Sequence, residues 1–244
     1  MVPQTRPSVP IAKPFWIGRL EVSNEQFARF DSSHSSRIEN GDFLQFSEQE
    51  RGYVVDGPRQ PVLRVSWQGA QAFCRWLSQR TGKRVALPTE AQWEWACRAG
   101  TTTPLNYGTC SADFAPCANL ADVSLWNVDT FGWGLPSGAI PPWRPAYTNV
   151  NDNHRVSAPV GSFRPNAWGL CDMHGNAAEW TRSAFRPYQW RGDDGRNAET
   201  GNERRVVRGG SWYDRPEQAR SSARLSYPPW RGVFNVGFRV IIEE

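Results

Sequence analysis

Arg208-Gly-Gly-Ser-Trp212, then Tyr213 to Phe234, then Asn235-Val-Gly-Phe-Arg-Val240, is the stretch whose reading decides the fold of this chain. It is dense in rings and guanidinium groups: Trp212, Tyr213, Arg215, Arg220, Tyr227, Trp230, Arg231 and Phe234. Trp, Tyr and Arg dominate binding hot spots, so part of this segment reads as a ligand surface. The plainer alternative is that Trp212 and Phe238 are core and that arginines stack on them. Arg208, Arg224 and Arg239 are expected in buried or half-buried structural bonds. Tyr213, Arg215, Tyr227, Trp230 and Arg231 are expected to face a ligand. The last cysteine of the chain is Cys171, so the whole segment lacks a thiol.

The same character extends outward through all 244 residues, with 13 Trp, 21 Gly and 19 Pro, which suits a loop-rich fold pinned by large rigid rings. Regular structure is expected to be sparse, and a single domain over 1–244 is expected from the length. The net charge of +4 comes without a basic run, which argues against nucleic acid as partner. No apolar stretch reaches the roughly 20 residues of a membrane span, and the start has no apolar signal-peptide region. The expectation is a cytoplasmic protein that does not bind membranes. Five cysteines, Cys74, Cys97, Cys110, Cys117 and Cys171, read as reduced thiols. Cys74 and Cys97 fall at apolar helical positions, where a thiol acts as a small hydrophobe.

Phe15 to Val22 reads as a strand, and Ser23 then opens a helix with Gln26 completing a capping box. Ser66 starts a second helix carrying Ala70, Phe73, Cys74 and Leu77 at helical spacing and stopping near Gly82. Thr89 caps a third, with Ala91, Trp95 and Ala96 placed inward and an end near Gly100. Residues 32–60 are polar and irregular, and 100–165 show no periodicity, a length of loop that needs functional or ionic support. Short strands are expected around Gly169–Asp172, Arg205–Arg208, Arg220–Arg224 and Val236–Ile241.

Together with Leu87-Pro-Thr-Glu-Ala-Gln-Trp-Glu-Trp95 and Gly175-Asn-Ala-Ala-Glu-Trp180, the opening segment resembles the formylglycine-generating enzyme (sulfatase-modifying factor) family over residues 15–242. The resemblance implies an α+β fold of the C-type-lectin superfamily: two or three short helices around small antiparallel sheets, with long irregular loops. Two departures stand out. The family's first strand is not found, so residues 1–14 read as an extension and the chain as a shortened variant, a fragment or part of a larger polypeptide or complex. The family oxidises a sulfatase cysteine with a Cys-x4-Cys pair lying before an Ala-Ala-Arg that matches Ser222-Ala-Arg224. Counting back, the paired positions are Pro216 and Ser221. Ala178 also replaces the Trp typical of the Gly-Asn-x-Trp-Glu-Trp motif.

The resemblance further implies two structural calcium sites, one on Asn119, Leu120, Asp152 and His154, the other on Asp172, Gly175, Ala177 and Glu179. Loops rich in carboxylates and carbonyls suit an ion that takes six to eight oxygens. Asp172 and Glu179 equally suit capping of turns. Copper is not expected, because soft thiolates select Cu(I) and the pair is missing. Iron held by His34, His154 and His174, the three histidines of the chain, is not expected either. The favoured function is a non-catalytic or regulatory domain that binds a protein, peptide or small ligand. The alternative is a metal-dependent or carboxylate-assisted oxidoreductase, similar to siderophore-maturation relatives, with Glu217 and Asp214 as acid/base groups.

Overall fold

The computed structural model describes residues 11, 13–37, 53–126, 149–187 and 194–243. Most of the proposed 1–14 extension, and parts of the irregular stretches 32–60 and 100–165, lie outside them. Helix α1 (Asn24–Ala28) begins at Ser23, whose hydroxyl accepts from Gln26 N while the Gln26 side chain returns to Ser23 N, the reciprocal capping box read from the sequence. Helix α2 (Trp67–Thr81) is capped by Ser66 and stopped by Gly82 in left-handed backbone, φ 68°. β1 (Phe15–Ile17) precedes α1, and β2 (Arg84–Ala86) and α3 (Glu90–Arg98) follow α2. Thr89 and Gln92 form a second capping box, and α3 ends on Ala99 at φ 44° just before Gly100.

A turn of helix, α4 (Val123–Trp126), precedes the strands of the C-terminal half: β3 (Ala178–Ala184), β4 (Arg205–Arg208), β5 (Leu225–Tyr227), β6 (Val236–Gly237) and β7 (Ile241–Glu243). They make a three-stranded sheet in order β1-β7-β2 and a four-stranded sheet in order β5-β4-β3-β6. The strand pairings are antiparallel as expected except that of β3 with β6, which is parallel. Other expectations are corrected too. Gly169–Asp172 is turn, with positive φ at Gly169 and Asp172 that a strand cannot hold. Arg220–Arg224 is turn, the strand starting only at Leu225. The first strand stops at Ile17, and the chain to Val22 continues the contact irregularly through Gly18 N to Val240 O (2.8 Å) and Val22 N to Phe238 O (2.9 Å).

The principal core fills the space between α1, α2 and the larger sheet. Phe27 stacks on Phe73 at 5.5 Å, and Phe238 meets both edge-on. Trp180 is fully buried and donates Nε1–H to Val65 O (2.8 Å), while Trp67 donates to Thr181 O (2.9 Å), so each indole delivers its apolar area with its one donor satisfied. On α3 the inward tryptophan is Trp93, 0% exposed, and Trp95 is 50% exposed against Trp168 at 4.3 Å. The expectation that Trp95 faces inward is thus wrong by about half a helical turn.

Candidate functional site

Arginines seal the interior next to the candidate ion loops. Arg239 and Glu179 are both 0% exposed and joined by several hydrogen bonds, the shortest 2.7 Å. Trp93 Nε1–H adds a 2.7 Å bond to Glu179 Oε2, and Arg239 also donates to Cys171 O (2.9 Å). Arg208 pairs with Glu94, and Arg224 with Glu90 at 2.8 Å. All three arginines therefore hold structure, as expected.

The first implied calcium set is gathered in one place. Asn119 is fully buried. Its amide donates to Val156 O (2.9 Å) and Asn176 Oδ1 (3.1 Å), and its Oδ1 is buried with no hydrogen-bond donor. Asp152 accepts from Leu120 N (3.0 Å) through Oδ2 and from His154 N (2.8 Å) through Oδ1. Asp122, which sequence reasoning missed, accepts from Asp152 N at 2.5 Å. Burial, and next the Asp122 carboxylate, push Asp152 up to about 8. The His154 ring packs edge-on to Phe163.

The second set adjoins the first. Asp172 stands at φ 57°, one carboxylate oxygen accepting from Gly161 N (2.6 Å) and the other, Oδ1, buried without a donor. Burial raises Asp172 to about 6 against the pull of Gly161 N–H and Arg239. Gly175 cannot carry a side chain, because a Cβ would lie 2.0 Å from Asn119 O. Ala177 N donates to Glu21 Oε1 (2.9 Å), and Asn176 Nδ2 to Glu21 Oε2 (2.7 Å). Glu21 is buried, and its carboxyl is held well above the ordinary range by burial and then by Asp172 and Glu179. Glu179 itself is committed to Arg239 and Trp93. Asn176 sews the two sets together, its N–H reaching Asn119 O (2.8 Å) and its Oδ1 accepting from Asn119 and Ala158. Glu21 sits in an apolar run where alternation would point it at solvent, so its burial left no sequence signal.

The donor chemistry fits a hard cation. Each set offers carboxylate, amide or carbonyl oxygens, an orphaned buried acceptor and no thiolate, and buried acceptors without donors are costly unless something satisfies them. Among the described residues no three His, Cys, Asp or Glu side chains converge, so in either set backbone and amide oxygens would have to complete a cation's shell. His34 donates Nε2–H to Leu63 O (2.9 Å). His174 donates from Nδ1 to Ala219 O (2.7 Å) and accepts at Nε2 from Asn106 N (3.0 Å), and burial lowers it to about 4.

The position that the resemblance equates with a catalytic cysteine, Ser221, is fully buried. Its hydroxyl lies 3.6 Å from Cys97 Sγ, which in turn is 3.4 Å from His174 Nε2. Burial pushes the Cys97 thiol up to about 12, which holds it protonated at neutral pH. All five cysteines are free thiols. Asp214 is tied by Ser211 N (2.9 Å) and Oγ (2.7 Å), and burial raises its carboxyl. Glu217 is exposed, and its carbonyl accepts from Arg220 Nε (2.7 Å).

The five residues expected to face a ligand differ in exposure, and Tyr227 lies close enough to Arg231 to feel its charge. Tyr213 packs edge-on between Trp212 and Phe234. Tyr227 is half-buried in β5 with its edge on Trp180. Arg215 and Arg231 are exposed. Trp230, 61% exposed, lines a cavity of about 560 Å³ together with Phe30 and Asp31, which follow α1.

A family model described as the sulfatase-modifying factor enzyme 1-like domain matches residues 3–244. The chain belongs to that family. Relatives include a formylglycine-generating enzyme of Streptomyces coelicolor, 33% identical over 79% of this chain and 55% of that protein. A mouse inactive C-alpha-formylglycine-generating enzyme 2 is 31% identical over 73% of this chain and 48% of its own length. The chain thus spans about half the length of the curated relatives it matches. Among solved structures, PvdO from Pseudomonas aeruginosa superposes with a TM-score of 0.70 at 28% identity, covering 97% of this chain and 83% of that one. The Treponema denticola variable protein 1 shares the fold at a TM-score of 0.65 and 22% identity. The α+β architecture of few helices and small sheets is the architecture of this family. Among the described residues no helix is long and apolar enough to cross a membrane.

Proposed function

We propose that this chain is a non-catalytic recognition domain of the sulfatase-modifying factor enzyme 1-like family, held in shape by structural calcium. The observation that carries the reading is Ser221. Where the resemblance places a catalytic thiol there is a buried hydroxyl packed on Cys97, and the partner position is Pro216. Cu(I) ligation needs soft thiolate donors, and neither position supplies one. Support also comes from the similarity to a relative named as inactive.

Calcium would be held by Asn119, Leu120, Asp152 and His154 in one set and by Asp172, Gly175, Ala177 and Glu179 in the other, Glu179 contributing while paired to Arg239. Bound there, the ion supplies positive charge to the Asp122–Asp152 pair and a partner to the orphaned oxygens of Asn119 and Asp172. Its part is structural, since no reactive group lies in either set. A protein, peptide or small ligand then meets the exposed aromatic and arginine residues, Trp230 first among them.

The test is mass-spectrometric metal analysis of the purified chain, with oxygen consumption measured on a cysteine-bearing peptide with and without added Cu(I). Calcium without peptide oxidation is the expected result. Stoichiometric iron or copper together with turnover would overturn the reading and favour the oxidoreductase alternative.

A further inference from the structure

The turn after β4 and the residue before β6 hold two oxygen acceptors that neither the calcium sets nor the cysteine positions use. Asn235 is 6% exposed, and its Oδ1 is buried without a donor. Its Nδ2 donates to Ser211 Oγ (2.8 Å), and that hydroxyl gives its own proton to Asp214 Oδ2 (2.7 Å). A hydroxyl has one proton, so Ser211 can only accept from Asn235, and the amide must turn Nδ2 toward it and Oδ1 away. One buried serine therefore sets the direction of both neighbours.

Asp214 is the second acceptor. The hydrogen bonds its carboxylate takes come from Ser211, N (2.9 Å) and Oγ, and both fall on Oδ2. No described cation pairs with it, although burial raises its carboxyl. A carboxylate withdrawn from water is costly unless a cation or further donors meet it, and a buried amide oxygen without a donor is costly in the same way. The Asp214 side chain is half-buried, and the Tyr227 hydroxyl lies close enough to feel its charge.

Backbone bonds fix both groups in place. Asp214 N donates to Ser211 O (2.9 Å), Asp214 O accepts from Ala121 N (3.0 Å), and Asn235 O accepts from Ala178 N of β3 (3.0 Å). Their chain neighbours Trp212, Tyr213 and Phe234 pack edge-on to one another, with centroids 5.4 to 6.0 Å apart. The acceptors are thus preorganised beside an apolar wall.

Resting on the recognition reading above, we propose that Asp214 and Asn235 form a subsite for a primary ammonium group on an apolar stem, carried by a free amine or by a lysine side chain. The ammonium has three N–H donors and one charge. One donor goes to Asp214 Oδ1, one to Asn235 Oδ1, and the third is left to water, while the stem lies against Tyr213 and Phe234. A quaternary ammonium brings the charge without a donor, and an alcohol brings a donor without the charge, so each satisfies half of the site.

The test is calorimetric titration of the full chain, in calcium and without redox metal. The probes are benzylammonium and Nα-acetyl-L-lysinamide, with benzyltrimethylammonium and benzyl alcohol as the half-matched controls. Saturable binding of at least one primary ammonium is expected, with an affinity lower by about tenfold or more for both controls. Binding of benzylammonium alone assigns a free amine, and binding of the lysine derivative alone assigns a peptide side chain. Asp214→Asn keeps an acceptor for Ser211 and removes the charge, so it should weaken the ammonium by a similar factor. The ligand series needs no variant and decides the matter even where Asp214→Asn does not fold. No saturation by either primary ammonium, an equal affinity for either control, or a folded Asp214→Asn chain that binds as tightly as the parent would overturn the proposal. The recognition reading survives that failure, since it falls only to metal-dependent oxidation of the peptide.

Discussion

The Glu179–Arg239 pair shows how little freedom single positions have in this fold. Two fully buried opposite charges contribute little net stability compared with an apolar pair of the same shape, but removing one partner leaves the other charge stranded. Glu179→Gln should therefore cost about 3–5 kcal/mol in urea unfolding, and adding Arg239→Met should recover part of it. An additive double mutant would show that the two do not act as a pair. Gly175→Ala is argued at the same scale. The added methyl would stand 2.0 Å from Asn119 O, on backbone at φ 81° that alanine adopts only with strain. Since Asn119 cannot retreat without breaking its bonds to Asn176 and Val156, a loss above about 2 kcal/mol is expected from the shift of the denaturation midpoint.

At the scale of elements, stability concentrates where local chemistry closes each helix. Ser66→Ala and Thr89→Ala each remove the side-chain acceptor of a first-turn amide, Gly69 N in α2 and Gln92 N in α3. Each should cost about 1 kcal/mol by thermal unfolding, and the two should add, because they belong to different helices. These caps were legible in the sequence because capping depends on residues three apart. The phase of α3 was not. With nine residues the helix gives two plausible apolar faces, and Trp93 was chosen over Trp95 by the distant Glu179 carboxylate it bonds. β2 is too short, at three residues, to carry a readable alternation, and β3, seven residues buried throughout, shows none either, so neither was anticipated. Turns replaced expected strands at Gly169–Asp172 and Arg220–Arg224, where only tertiary contact decides. Of the candidate site, the implied ligand residues were found in two adjoining groups, whereas Glu21 and Asp122 carried no pattern that separates a buried carboxylate from an exposed one. The cavity was invisible for a different reason: it joins residues near 30, 65 and 230, and of these only Trp230 was expected to face a ligand.

For the whole molecule, the question is what holds long loops that have little helix or strand of their own. Two small sheets and short helices pin the ends, while Asn119, Asp122, Asp152 and Asp172 lie buried in loop segments with more acceptors than donors. An ion that binds the folded state and not the unfolded chain stabilises it by mass action, about 2.7 kcal/mol when its concentration is 100 times the dissociation constant. The melting temperature should therefore rise with calcium and fall on chelation. Asp152→Asn and Asp172→Asn should each reduce that calcium dependence, and the pair together should abolish it. The sign matters, because burial raises both carboxyls: without an ion Asp152, pushed up to about 8, already holds a proton at neutral pH, while Asp172, at about 6, is the one whose substitution removes a buried charge. In chelator they should unfold at the same temperature as the parent or higher, and only in calcium should they fall below it. A variant that is less stable under both conditions, with the calcium increment intact, would assign these carboxylates to turn capping and leave the loops to be held by Arg239 and Asn176 alone.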